Sequence, residues 1–344
     1  MEIETIGIKD SIEDSEDEIA YQMFKDSVEF HDGRYYVTWP WKDGEPDLPT
    51  NYALALSRFK SVAQRLFDDP ELLKQYDSIM QEQLRRGIIE KVSADSEEGR
   101  LKHYIPHHPV ITPSKTTTKV RLVYDASAKT KKSNNSLNEC LYRGPVLLQD
   151  LCGLLLWFLL PKIGLMSDIE KAFLQVGLQM QDRDVTRFFW FINPDVHKFN
   201  GNVQVYRFCR IPFGVISSPF LLAATINHHL EKFEHEVNSK IAPTDIAKQI
   251  KDNMYVDNVI TGANDVNDAI QFYKVSQDIF NAMSMNLREW ASNSSEFLDS
   301  IPEKHHSVGV IFKVLGMNWN TKEDTLSISS SRYSSVSINK LLIL

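Results

Sequence analysis

Two aspartates of the sequence follow apolar strand residues and fall where a sheet edge meets solvent. Asp168 closes the run Leu165-Met166-Ser167. Asp257 lies in Met254 to Gly262, which reads as a tight hairpin, apolar on both arms, with Asp257-Asn258 at the turn. Carboxylates so placed suit phosphoryl transfer. That chemistry asks for little covalent help, but it uses hard cations that bridge the attacking and leaving oxygens. Magnesium takes oxygen ligands and usually one or two protein carboxylates together with phosphate. Taken singly, each aspartate is more often a turn former, and it is the pair that makes a reaction centre worth considering.

The charge pattern bears on the same question. The chain carries a net charge of -8 over 344 residues, which by itself argues against a polyanionic partner. The charge is uneven, however. Residues 1–20 hold eight carboxylates and one Lys, whereas residues 100–143 hold nine Lys/Arg against Asp125 and Glu139, a local excess of +7. A phosphate backbone senses the local field within about 10 Å, not the net charge. A solvated basic loop without a partner fits the same composition.

The elements that must position these residues are those of an α+β chain. Residues 1–35 read as an acidic, disordered leader, and 34–39 as an alternating edge strand. Phe59, Val62, Leu66 and Phe67 share one helical face. Asp69 caps a second helix that starts with Pro70 and carries the stripe Leu73, Tyr76, Met80 and Leu84 up to Gly87. Val110-Ile111 and 120–124 predict a hairpin joined by a polar connection. Residues 147–160 predict an apolar helix with Trp157 and Phe158 in the core. Strands are expected at 164–169, 188–191 and 203–208, helices at 218–236 and 265–284, and a further hairpin within 308–319.

Several short motifs occur in a fixed order: Tyr104 to Val110, Lys119 to Ser127, Ser136 to Leu141 with Gly144-Pro145, Ser167 to Phe173, Ile211 to Pro219, Tyr255-Val256-Asp257-Asn258, Asn286 to Trp290, and Leu315-Gly316. Through them the chain resembles, from about residue 35 to 320, the reverse transcriptases of retroelements, most closely those of Pao/BEL-type long-terminal-repeat retrotransposons. The resemblance implies a right-hand polymerase fold with a truncated or absent thumb. Residues 36–95 would lead into the fingers, 96–135 and 176–215 would form the fingers, and 136–175 and 216–320 the palm. Residues 321–344 would be the start of a thumb or a truncated tail. The apolar close Leu341 to Leu344 adds the expectation that the chain stops partway through a larger architecture.

The resemblance also implies roles. Asp168 and Asp257 would be the catalytic, metal-binding aspartates, with the backbone carbonyl of Ile169 and the amide of Asn258 in the metal shell. Arg121 would hold the incoming triphosphate, helped by Lys115 or Lys119 and supported by a salt bridge from Asp125. Phe173 would lie under the sugar and clash with a 2′-hydroxyl, and Phe213 and Gly214 would line the nucleotide pocket. Lys129, Lys131, Lys132, Arg143, Tyr255 and Gly316 would meet nucleic acid. The implied activity is RNA-directed and DNA-directed DNA synthesis with two Mg²⁺, or Mn²⁺, on a primed RNA or DNA template with dNTPs. The implied setting is a polyprotein with protease, RNase H and integrase, in a cytoplasmic virus-like particle or the nucleus. An inactive remnant that only binds nucleic acid is the alternative.

Three departures stand out. Asn258 replaces the second aspartate of the hairpin motif, Phe213 replaces a glutamine before the turn glycine, and Arg288 is the nearest basic residue to a lysine often found near position 290. The three cysteines, Cys140, Cys152 and Cys209, are too scattered for a disulfide framework or a zinc site. The pairs His107-His108, His228-His229 and His305-His306 lack ligands at zinc spacing. No apolar run is long enough for a membrane span, and the acidic N-terminus predicts no secretory signal.

Overall fold

The computed structural model describes residues 12–42, 46–93, 101–112, 120–196, 198–237, 244–328 and 337–339. The chain mixes helices and strands in two compact units, each assembled from separated stretches. The first takes 1–146 and 173–221, the second 147–172 and 222–344.

In the first unit the helices Tyr52–Asp68 and Pro70–Arg85 meet at Asp69. Its carboxylate accepts a hydrogen bond from the Leu72 N–H at 3.0 Å, and Pro70, which has no N–H to satisfy, opens the second helix. Phe59 on one helix and Tyr76 on the other are buried against the strand Phe188–Phe191, all four residues of which are buried. That strand belongs to a three-stranded sheet with Val203–Phe208 in the middle and Ile89–Lys91 on the far edge. The hairpin His107–Ile111 with Val120–Tyr124 completes this part, and its connection, with Lys115 and Lys119, lies outside the described residues.

Two expectations at the N-terminal end are corrected. Residues 12–27 form a helix rather than part of a disordered leader. Ala20 and Phe24, four apart, are buried, and the Phe24 ring meets Phe220 edge-on at 6.1 Å. The strand Arg34–Val37 is not an edge. It lies between Glu29–His31 and the two-residue strand Gly177–Leu178.

The second unit is built on a four-stranded antiparallel sheet in the order Met254–Tyr255, Asn258–Ala263, Ile163–Ile169, Leu287–Ser292. The helices Thr244–Asp252 and Val266–Ala282 flank it, and a second sheet follows. This second sheet contains Ile311–Val314, Met317–Asn320, Thr325–Ser327 and Ser337–Asn339. Phe158, Ile260, Ala291, Val314, Trp319 and Leu326 form one buried cluster. The expected break at 321 therefore falls inside a sheet: Leu326 is core. Trp157 is a further correction. It is 66% exposed on the helix Leu151–Leu159, while its neighbour Phe158 is buried.

His107 makes the first unit sensitive to acid. Its ring is buried, with Nδ1 against the Tyr76 hydroxyl and Nε2 at 2.7 Å from the Phe189 carbonyl. Burial pushes its pKa from 6.5 down to about 4. The unfolded chain takes up the proton near 6.5 and the folded chain resists it. The stability this residue contributes is complete above pH 6.5 and is lost as pH falls through about 4. Unfolding free energies from urea titrations between pH 7 and 4 should fall more steeply for wild type than for His107→Gln, by up to about 1.4 kcal/mol per pH unit. Parallel profiles would show that the ring is not held neutral.

Candidate active site

The strand Ile163–Ile169 is paired on both sides, and that fixes the surroundings of Asp168. Asn258 stands directly opposite it on one neighbouring strand and Arg288 on the other. Residues directly opposite in a sheet project to the same face, so the three side chains form a row. Asp257 precedes Asn258 in the turn, and its carbonyl accepts the Ile169 N–H at 2.8 Å, which ties the turn to the central strand. The two turn residues are Val256-Asp257, with Asn258 already paired to Tyr255. This corrects the expected Asp257-Asn258 turn. Val256 has φ +58°, a left-handed conformation that a β-branched residue adopts only under constraint.

Burial, reinforced by the charges of Asp257 and Glu289, pushes Asp168 up to about 7, against the opposing pull of Arg288. Burial also raises Asp257. Arg288 Nε lies 3.6 Å from Asp168 Oδ2, an ion pair too long for a hydrogen bond. The strand Leu287–Ser292 is irregular between Arg288 and Ala291, with Glu289 at φ +52°. A bulge of this kind re-aims side chains, so that Arg288 and Glu289 both act on Asp168. Asn258 Nδ2 donates to Asp257 Oδ1 at 3.0 Å, a neutral contact where a second acid would repel. The sequence signalled Arg288 only as a stray cation and Glu289 only as a member of the motif Asn286 to Trp290, because a bulge has no local signature in this strand.

Among the described residues no three His, Cys, Asp or Glu side chains cluster as a metal site. Two half-buried carboxylates, one amide and nearby backbone carbonyls nevertheless make an all-oxygen donor set, which fits a hard divalent cation that keeps part of its water or phosphate shell.

The other expected residues fall as follows. Tyr255 packs against the buried cluster around Trp319, and Gly316, at φ +89°, turns the hairpin between Ile311–Val314 and Met317–Asn320. In the first unit Arg121 is exposed on its strand. Asp125 pairs with Arg58 at 2.6 Å, not with Arg121 as expected. Phe173 meets Phe213 edge-on at 5.2 Å, and Phe213 is 67% exposed. Gly214 has φ +103°, and a Cβ there would lie 2.4 Å from the Tyr124 carbonyl, so only glycine fits. Lys129 is bound to Glu139, whose carboxyl is held down to about 2 by Lys129 and Ser136. Lys131, Lys132 and Arg143 are exposed. The described histidine pairs are structural: His229 bonds the Ile279 carbonyl and His305 the Tyr273 hydroxyl.

Residues 160–293, which carry both aspartates, Asn258 and Arg288, match the family described as reverse transcriptase (RNA-dependent DNA polymerase). Among solved structures, the chain is similar to a foamy viral protease-reverse transcriptase in complex with double-stranded DNA, with 16% identity and a TM-score of 0.48. That similarity covers 74% of this chain and 34% of the viral one, so this chain spans about a third of that structure's length. No curated protein matches the chain. No helix among the described residues is long and apolar enough to cross a membrane.

The electrostatics of the aspartate pair can be read directly by carbon-detected NMR of the cation-free chain. The Asp168 carboxyl should titrate near 7. Asp257→Asn, which removes a like charge, should lower that midpoint. Arg288→Met, which removes the opposing cation, should raise it. A midpoint that neither substitution moves would mean that the two acids do not share a field.

Proposed function

We propose that this chain is the polymerase portion of a reverse transcriptase, making DNA on primed RNA or DNA templates. What carries the proposal is the family match over 160–293, the stretch that contains the row Asn258, Asp168, Arg288 and the adjoining Asp257. The reaction joins a primer 3′-hydroxyl to the α-phosphate of a dNTP and releases pyrophosphate. Two bound magnesium ions, or manganese in their place, would supply the Lewis acidity that activates the hydroxyl and stabilises the charge on the leaving oxygen.

The chain's own residues divide the remaining work. Asp168 and Asp257 would hold the cations, and the Ile169 carbonyl and the Asn258 amide oxygen would complete the oxygen shell. Arg288 balances the Asp168 charge while no cation is bound. Arg121, with Lys115 or Lys119, neutralises the triphosphate, and Gly214 gives the nucleotide a close approach to backbone. Phe173 excludes ribonucleotides by collision rather than by attraction. Lys131, Lys132 and Arg143 meet the template-primer backbone, so affinity should be strongly salt-dependent and nearly indifferent to base sequence. In this reading 96–135 and 176–215 act as fingers and 136–175 with 216–320 as palm. The chain derives from a Pao/BEL-type element and its polyprotein, at work in a cytoplasmic particle or the nucleus.

The competing reading is a remnant that binds nucleic acid without extending it. Asn258 favours it, because one negative charge is missing from the hairpin motif. Primer extension on an RNA template with Mg²⁺ separates the two. Asp168→Asn and Asp257→Asn should each abolish extension and leave primer-template binding nearly intact, whereas Asn258→Asp should match or exceed wild type. Full activity in Asp257→Asn would remove the two-aspartate assignment.

Phe173 offers an independent check. If its ring bars the 2′-hydroxyl, Phe173→Val should raise the kcat/KM ratio of rNTP to dNTP by about tenfold or more. If the ring only packs against Phe213, the substitution destabilises the fold by about 1–4 kcal/mol. Both substrates would then suffer alike and the ratio would stay put.

A further inference from the structure

Most arginines withdrawn from water in the first unit, the buried Arg187 and Arg207 and the half-buried Arg183, are matched by carboxylates. Arg187 and Arg207 share Asp184, at 2.9 and 2.8 Å. Arg207 also reaches Glu90 at 2.7 Å, and Arg183 reaches the same Glu90 at 3.4 Å. This is the expected pattern, since an arginine withdrawn from water needs a compensating charge. Arg34 and Arg210 break it. Both are half-buried, and among the described residues neither has a carboxylate within ion-pair range.

Backbone and amide oxygens hold the two guanidiniums in place. Arg34 Nη1 donates to the Gln175 carbonyl and lies 3.3 Å from the Gln175 side-chain oxygen. Arg210 Nη1 donates to the Leu174 carbonyl at 2.8 Å and Nη2 to the Arg86 carbonyl at 3.0 Å. A guanidinium has five N–H donors, and in both residues the described hydrogen bonds leave Nε–H uncommitted. Burial lowers the pKa of both arginines, and for Arg210 the nearby Arg34 and Arg86 add to the effect and push it down to about 10.

The two residues line a cavity of about 400 Å³ together with Tyr36, Lys91, Arg183 and Glu90. Lys91 likewise has no carboxylate partner among the described residues, and the single acid, Glu90, is already engaged by Arg207 and Arg183. The wall is shaped by Tyr36, whose ring lies against Gly177, where a Cβ would fall 2.4 Å from it. A chain with a net charge of -8 has thus gathered unmatched, oriented cations in one recess.

We propose that this recess binds a phosphate group, held by Arg34 and Arg210 with Lys91 at its mouth. Guanidinium forks match phosphate oxygens in geometry as well as charge. The group belongs either to a nucleic-acid backbone or to a free nucleotide. None of these residues has a role in the proposed polymerase site, so the recess is a second anion site in the fingers-bearing unit.

The test uses the full chain in EDTA, so it depends neither on Asp168 nor on a divalent cation, and the polymerase reading can fail while this one stands. Phenylglyoxal, which modifies accessible arginines, is applied with no addition, with oligo(dT), or with ATP, and the peptides are read by mass spectrometry. Protection of Arg34 and Arg210 by oligo(dT) alone identifies a backbone phosphate, and protection by ATP identifies a free nucleotide. Protection by neither overturns the proposal. In parallel, Arg34→Gln and Arg210→Gln should weaken binding of the protecting probe by about tenfold, while Lys274→Gln, an exposed lysine of the helix Val266–Ala282, should not. If either variant fails to fold, the protection experiment on the unmodified chain decides alone.

Discussion

The second unit depends on a single register. Ile163–Ile169 is paired on both sides, and its side chains alternate between a face where Leu165, Ser167 and Ile169 are buried and a face bearing Met166 and Asp168. A slip of one residue would exchange those faces. It would drive Asp168 in among apolar groups and pull Leu165 and Ile169 out, at a cost no local contact could offset. Because Asn258 and Arg288 are its cross-strand partners, the same register determines what Asp168 faces. Packing chooses the electrostatics here: the apolar alternation holds the acid beside Asp257 even though the two repel.

Elements with local causes were legible in the sequence. The Asp69-Pro70 start, the stripe through Tyr76 and the apolar strands at 188–191 and 203–208 all carry their signals within a few residues. The aspartate pair was legible for the same reason, as a strand end and a turn. Long-range partners were not. Arg58 and Asp125 are 67 positions apart, and nothing near Asp125 marks Arg58 rather than Arg121 as its partner. The helix at 12–27 was hidden by its own charge, because Glu18 and Asp26 are exposed while, among the described residues, only Ala20 and Phe24 are buried. Arg34–Val37 looked like an edge because its second neighbour, Gly177–Leu178, is too short to show a pattern.

Net charge was a poor guide to local chemistry. The apparent basic stretch is partly neutralised where it stands, since Lys129 is spent on Glu139 within a capped turn. The half-buried arginines with no carboxylate partner among the described residues are elsewhere, at Arg34 and Arg210. One lies on the strand Arg34–Val37 and the other just beyond Val203–Phe208, and both are oriented by carbonyls that carry no sequence signature. Counting lysines along a loop and asking which cations remain unmatched after folding give different answers.

Both units are discontinuous, and this has a consequence in time. The strand Ile163–Ile169 is synthesised about 90 residues before its neighbour Asn258–Ala263 and about 120 before Leu287–Ser292. At roughly 5–20 residues per second, it waits on the order of 5–20 s for its first partner and longer for its second. Throughout that interval Leu165, Ile169 and a full set of backbone donors and acceptors stand open on the nascent chain. A stretch that is held on both sides in the finished molecule is, on the ribosome, without either partner for that interval.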